Sequence, residues 1–157
     1  LARGIEIHRA IQAKLEGRHP KLTLANSPYY YAALPYLEKV EAIALLESSV
    51  FHPEHGFAGT PDLVAKIQGE EWCLLDWKTT QKPRTKYQMQ RDFHQAAAYL
   101  GACNWLYGWK LGKAKIITLL PSKESQVWEV EGKDLKRYWQ GFLQHAHEYH
   151  QALELAK

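Results

Sequence analysis

The chain has 157 residues, 46% hydrophobic and 24% charged, which is enough for one hydrophobic core and close to ordinary globular composition. Lys and Arg number 20 against 17 acids, a net charge of +3 that biases the surface only mildly toward polyanions. No apolar run reaches the ~20 residues of a spanning helix, and no leader pattern of basic head, apolar middle and small-residue end occurs, so no membrane-integrated class is expected.

Gly4 to Glu16 carries Ile5, His8, Ile11 or Gln12, and Leu15 at helical spacing, with Gly17 as its stop. Arg18 to Ser27 is a polar connector. Pro28, in a first-turn position, opens a second helical stretch with Tyr30, Leu34 and Leu37 in step, with Pro35 as a residue unfavourable to it. From Ala42 to Leu75 the pattern changes to short apolar and β-branched runs separated by His-Pro, Gly and Gln-Gly-Glu signals, which predicts strands near 43–51, 57–67 and 71–79. A basic loop with Lys82, Arg84 and Lys86 follows. Tyr87 to Trp109 then places Met89, Phe93, Ala96, Leu100, Cys103 and Tyr107 on one helical face, with Gly108 and Gly112 near its end. Ala114 to Leu120 and Gln126 to Val130 read as two more strands around a Pro-Ser-Lys turn. Leu135, Trp139, Phe142, Ala146, Tyr149 and Leu153 trace a last amphipathic helix. The expected architecture is α/β, a mixed central sheet flanked by helices in the order α-α-βββ-α-ββ-α. Residues 1–157 read as one domain, and because the chain opens on Leu1 rather than methionine, its N-terminal start is expected to be missing.

Cys73 and Cys103 both lie in apolar stretches, where a reduced thiol behaves as a small hydrophobe. Two cysteines cannot form a four-thiolate zinc or iron–sulfur site, and a secreted disulfide framework usually has more, so a reducing compartment is expected.

Asp62 follows Pro61 within one expected strand, and Asp76 sits in the next, inside Leu75-Asp76-Trp77-Lys78. Carboxylates among apolar strand residues are costly unless they are paired or bound to a cation. If Gln68-Gly69-Glu70 forms a three-residue loop, Ile67 pairs with Glu71, and Asp62 lies across from Asp76 with β-carbons about 5 Å apart. Lys78 then shares their face. A two-residue turn would instead send the two aspartates to opposite faces. Two like charges so close repel unless something positive lies between them, and Mg²⁺ or Mn²⁺ suits carboxylate and carbonyl oxygens. A lysine beside such a cation is the equipment of phosphodiester hydrolysis.

Pro61-Asp62, thirteen residues, then Asp76-Trp77-Lys78 resembles the PD-(D/E)XK nuclease signature, and the element order around it looks like that superfamily's restriction-endonuclease-like core. Gly4-x-x-x-His8, Glu47 before Ser48-Ser49-Val50, and Gln95-x-x-x-Tyr99 are similar to the RecB-like exonuclease branch. Within it, Gly56-Phe57-Ala58-Gly59-Thr60, Asp76-Trp77-Lys78-Thr79 and Gln95 to Ala102 resemble the mitochondrial genome maintenance exonucleases and their bacterial and phage relatives. The resemblance implies that His8, Asp62, Asp76 and the Trp77 carbonyl are metal ligands for Mg²⁺ or Mn²⁺. It also implies that Asp62, Asp76 and Lys78 form the catalytic set. Gln95 and Tyr99 would line the cleft, Glu47 would serve a second metal or its outer shell, and Lys82, Arg84 and Lys86 would contact DNA phosphates. The branch that carries an iron–sulfur cluster uses four cysteines, so none is expected here.

The function so implied is a metal-dependent DNA exonuclease acting from ends, preferring single strands, in DNA repair, recombination or maintenance. Its compartment would be a bacterial or phage cytoplasm or the mitochondrial matrix. The alternatives are a structure-selective endonuclease on the same core and a catalytically silent DNA-binding subunit. Tyr29-Tyr30-Tyr31 could stack on unpaired bases, though most aromatics will be core. His52 and His55 in a strand-connecting turn, and His145, His147 and His150 on a polar helix face, are left outside the site.

Overall fold

Ile7, Ala10 and Ile11 recur at helical spacing and form the buried stripe of α1 (Ala2–Leu15) in a computed structural model that describes residues 2–156. Pro28 in the first turn starts α2 (Ser27–Leu37), which buries Tyr29, Tyr30, Ala32, Ala33 and Leu37. A five-stranded sheet follows, made of β1 (Val40–Leu46), β4 (Leu63–Ile67), β5 (Trp72–Thr79), β6 (Lys113–Leu119) and β7 (Ser125–Glu131) in that spatial order. Only the β5–β6 pair is parallel, and the crossover between them carries a 3-10 turn at Tyr87–Met89 and α3 (Gln90–Tyr107). The chain ends in α4 (Gly132–Leu155).

The period-two alternation of β5 assigns its residues to two cores. Leu75 and Trp77 face α1 and α2 together with Leu63, Ala65, Ile117 and Leu119. Leu74 faces α3 and α4 with Val64, Ile116, Phe93, Ala97, Leu100 and Tyr138. Asp76 and Lys78, two and four residues beyond Leu74, are therefore on the α3 side of the sheet.

The expected strands at 43–51 and 57–67 are each broken in two. Glu47 adopts a left-handed backbone, φ 48°, which ends β1, and Pro61 has no N–H to give to a ladder, which separates β3 from β4. The released segments pair with each other as a two-stranded ribbon, β2 (Val50–His52) with β3 (Phe57–Gly59). Val50 buries in the α3 core. Asp62 consequently sits in the bend just ahead of β4, not in mid-strand as expected.

Helix faces also differ from expectation. Ile5 is exposed where the stripe was read through it, because Ala10 and Ala13, apolar but small, shift the buried face by about a residue toward Ile7 and Ile11. Tyr107, at the end of α3, is exposed and stacks on Trp109 with ring centroids 4.5 Å apart. On α4 the apolar stripe outruns the sheet. A helix of 24 residues is ~36 Å long, and Tyr149 and Leu153 on its last turns are exposed. Among the described residues no helix is long and apolar enough to cross a membrane.

The β4–β5 turn sets the register of everything that follows. Gly69 supplies its left-handed residue at φ 76°, and the Glu70 N–H donates to the Ile67 carbonyl at 2.9 Å. Lys115 reaches across from β6 and donates to both Glu70 oxygens at 2.5 and 2.6 Å. That hydrogen bond outweighs partial burial and, with the charges of Lys115 and Lys113, holds the Glu70 carboxyl below its usual range. A depressed folded pKa stabilises the fold above the unfolded value and loses that contribution as pH falls through the folded one. Urea unfolding should therefore show wild type more stable than Lys115→Met near neutrality, with the gap narrowing from about pH 6 to about pH 3.

Candidate active site

The β4–β5 ladder pairs Leu63 with Leu75 and Val64 with Leu74, so one further step places Asp62 opposite Asp76. This is the arrangement expected of the three-residue connection. The two carboxyl groups are close enough that each shifts the proton affinity of the other. Asp62 also accepts the Trp77 N–H through Oδ2 at 2.7 Å, and its backbone carbonyl accepts the Glu47 N–H at 3.0 Å. Both aspartates are about 95% buried, at 5% exposure each.

Helix α1 runs beside the end of β5 and brings His8 to this pair. Its Nε2 lies 3.0 Å from the Trp77 carbonyl, and its Nδ1 lies 3.3 Å from Asp62 Oδ1 and 3.6 Å from Glu47 Oε1. His8, Glu47 and Asp62 thus offer three ligand atoms within 4.8 Å of one another. Asp76 stands beside this trio, opposite Asp62 and paired with Lys78, whose Nζ is 3.1 Å from Asp76 Oδ2. The donor set, one imidazole and hard carboxylate oxygens, fits a divalent cation of the Mg²⁺ or Mn²⁺ class. Glu47, expected to serve a second metal or its outer shell, lies within this cluster at the left-handed bend that ends β1. Such a conformation costs a non-glycine residue of order 1 kcal/mol and persists here because the Asp62 carbonyl holds its N–H.

Protonation follows from this packing. Burial alone would depress the His8 pKa, but hydrogen bonds and charge from Asp62 and Glu47 push it up to about 10, so without a cation His8 is an imidazolium that donates from both nitrogens. Burial also opposes charge on Asp62, yet His8 and the Trp77 N–H hold its carboxyl below the usual range. At Asp76 burial and the adjacent Asp62 charge outweigh Lys78, and the carboxyl is pushed well above its usual range. Without a cation, then, the surroundings push the proton affinities of the two carboxyl groups in opposite directions.

Helix α3 closes the other side. Gln95 accepts a hydrogen bond from Lys78 Nζ at 3.1 Å, and Asp92, one turn earlier, lies 3.7 Å from the same nitrogen. Asp92 was not singled out from the sequence. The available signal was its position three residues before Gln95, which puts both on one helix face. Tyr99 is on that face too, and burial, followed by the charge of Asp76, raises its phenol. Its ring packs against Gly59, where an added Cβ would stand 2.2 Å from Cε1.

The basic loop is ordered by Gln126, which accepts from the Arg84 N–H at 2.8 Å and donates to the Arg84 carbonyl at 3.0 Å. Lys82 and Lys86 project into solvent, and Arg84 is half-buried. Of the three consecutive tyrosines, Tyr29 and Tyr30 are core, and Tyr31 alone is exposed, with Lys123 Nζ 5.5 Å from its ring centre. His52 is buried among Phe57, Trp105 and Trp139 rings, away from the carboxylates, and His145, His147 and His150 are exposed on α4. A cavity of about 970 Å³ lined by Trp72, Trp109, Glu70 and Lys113 lies at the opposite end of β5, remote from this chemistry.

A family model described as the PD-(D/E)XK nuclease superfamily matches residues 4–155. The chain belongs to that superfamily. Nucleases of this superfamily depend on a divalent metal, which agrees with the donor set around Asp62. Mitochondrial genome maintenance exonuclease 1 of Homo sapiens is 38% identical over 82 residues, 52% of this chain and 24% of that protein. The Xenopus tropicalis protein of the same name is 34% identical over 80 residues, 50% of this chain and 23% of that protein. The matched region thus spans about a quarter of the length of these relatives. Among solved structures, a putative exonuclease from Eubacterium rectale superposes with a TM-score of 0.55 over 93% of this chain and 64% of its own, at 10% identity, a likeness of fold.

The Gly59–Tyr99 contact yields a prediction. In Gly59→Ala the new methyl must displace the Tyr99 ring, and the unfolding free energy should fall by ~1–3 kcal/mol. In a Tyr99→Ala background the same substitution should be nearly silent. Urea denaturation of the four proteins measures the coupling.

Proposed function

We propose that residues 1–157 act as one nuclease domain that hydrolyses phosphodiester bonds from DNA ends with a divalent metal, preferring single-stranded DNA. The observation that carries this reading is the convergence of Asp62, Asp76 and Lys78 on one face at the end of β5, with His8 against the Trp77 carbonyl. His8, Asp62 and Asp76 would hold the cation, with Glu47 as a further carboxylate. The Trp77 carbonyl would join them as His8 gives up its donor role. Mn²⁺ suits an imidazole among oxygens somewhat better than Mg²⁺, and both should support activity. The cation supplies Lewis acidity for the attacking water and for the phosphoryl oxygens.

The chain's own residues do the rest. Lys78 places an ammonium where negative charge grows on the phosphoryl group as water adds and the P–O bond to the leaving strand breaks. Gln95 orients Lys78 by accepting a hydrogen bond from its ammonium. Tyr99 walls the cleft and excludes water from the Asp76 side. Lys82, Arg84 and Lys86 follow Lys78 in sequence after eight residues or fewer and would contact the phosphate backbone, so binding should be sequence-tolerant and weaken with salt. Of the three consecutive tyrosines, Tyr31 beside Lys123 is the one exposed to stack on an unpaired base. The end preference and a role in genome maintenance are supported by the names of the mitochondrial relatives, and repair or recombination would be the setting of that role. Cys73 and Cys103 are buried, and burial pushes both thiols up to about 11, as suits unreactive thiols in a reducing cytoplasm or matrix.

Lys78→Ala and Asp76→Asn should each lower Mn²⁺-dependent nucleotide release from a labelled single-stranded oligonucleotide on the order of 10²–10³-fold while leaving the far-UV spectrum unchanged. A closed circular single strand should survive conditions that degrade its linear form. Cleavage of the circle would make the enzyme an endonuclease on the same core, and no release by the wild type, or release undiminished in both variants and so foreign to this site, would leave the domain a DNA-binding subunit.

A further inference from the structure

Lys78 sits among more acceptors than the proposed chemistry uses. Its ammonium lies 3.1 Å from Asp76 Oδ2, 3.1 Å from Gln95 Oε1 and 3.7 Å from Asp92 Oδ1. These three acceptors have unequal prospects. Gln95 is neutral and offers a dipole only. Asp76 is claimed twice, by Lys78 and by the cation that it and Asp62 would hold, and an oxygen polarised toward a dication is a poorer partner for an ammonium. Asp92 is the remaining full negative charge. It stands in the first turn of α3, one turn from Gln95, and is a separate carboxylate from the His8–Glu47–Asp62 cluster. Its side chain keeps 19% exposure and that of Lys78 31%, so the pair is partly shielded from water, and Asp92 is held by a helix rather than by a loop.

We propose that Asp92 is a positioning residue for Lys78. It takes over the ammonium when Asp76 turns to the cation, and so keeps Lys78 beside the phosphate while freeing Asp76 to bind metal. Lys78 and the cation compete for Asp76, and Asp92 tips that competition toward the cation. An acidic residue in a first turn also complements the helix dipole, and that role alone would affect folding stability without touching metal binding. The inference rests on the reading of Asp62 and Asp76 as cation ligands.

The test is a double-mutant cycle on the full chain with Mn²⁺ alone as the probe, its free concentration read by electron paramagnetic resonance in the absence of DNA. Asp92→Asn should weaken Mn²⁺ binding about 3–10-fold, because Lys78 then stays on Asp76. In a Lys78→Met background, where nothing competes for Asp76, the same substitution should change Mn²⁺ binding less than about twofold. Asp92→Glu, which keeps the charge, should recover most of the affinity. On a single-stranded oligonucleotide Asp92→Asn should lower kcat with KM little changed. Equal weakening in the Lys78→Met background would reduce Asp92 to a distant contributor to the field and overturn the inference, as would unchanged Mn²⁺ binding in Asp92→Asn. Absence of Mn²⁺ binding in wild type, or its persistence in Asp62→Ala, would instead overturn the reading on which the inference rests. Thermal melts of every variant separate these results from loss of the fold.

Discussion

Two acidic side chains facing each other across adjacent strands are the constraint around which this structure is arranged. Asp62 and Asp76 are brought together by the β4–β5 register and taken out of water by the helices on either side. Both cannot be ionised in that setting without compensation. The surroundings resolve the conflict asymmetrically: an imidazolium and a backbone N–H favour charge on Asp62, while at Asp76 burial and a repelling neighbour outweigh Lys78. A dication would remove the conflict, and the free energy held in the unfavourable pairing then favours its binding.

Each flanking element can be understood by what it brings to that pair. Helix α1 supplies His8 at the margin of its buried stripe, close enough to the sheet to touch the Trp77 carbonyl and exposed enough to reach Asp62 and Glu47. Trp77 is fixed from three directions: its ring in the α1 core, its N–H on Asp62 and its carbonyl on His8. The break in the strands at Glu47 and at Pro61 opens the sheet edge there and diverts the chain into the β2–β3 ribbon, so that Gly59 can lie flat against Tyr99. Helix α3, the crossover that a parallel β5–β6 pair requires, points one face at Lys78 and supplies Asp92, Gln95 and Tyr99 from successive turns.

The comparisons concern different scales. The family model spans nearly the whole chain, and the fold likeness to the bacterial putative exonuclease is equally broad, whereas the mitochondrial relatives match over about half of this chain and a quarter of theirs. The chemistry proposed for this domain therefore belongs to the part that is shared, and the role in DNA maintenance belongs to proteins much longer than the region compared.

The amino-acid order by itself determined the element types and the turn around Gly69, because turn residues and period-two alternation are local properties, and it left two turn lengths open; the observed register selects the three-residue turn that pairs Asp62 with Asp76. It also carried the short patterns around His8, Gln95 and Tyr99 that linked this chain to a nuclease family. What only the tertiary structure decided were contacts between segments far apart in the chain: the inward turn of Glu47, the capture of the Trp77 carbonyl by His8, and the approach of Asp92 to Lys78. An acid at a strand end and an acid in a first helical turn look alike in sequence whether solvated or paired. Their partners arrive through the packing of α1 and α3 on opposite faces of the sheet, and that packing is settled by the whole core rather than by any local run of residues.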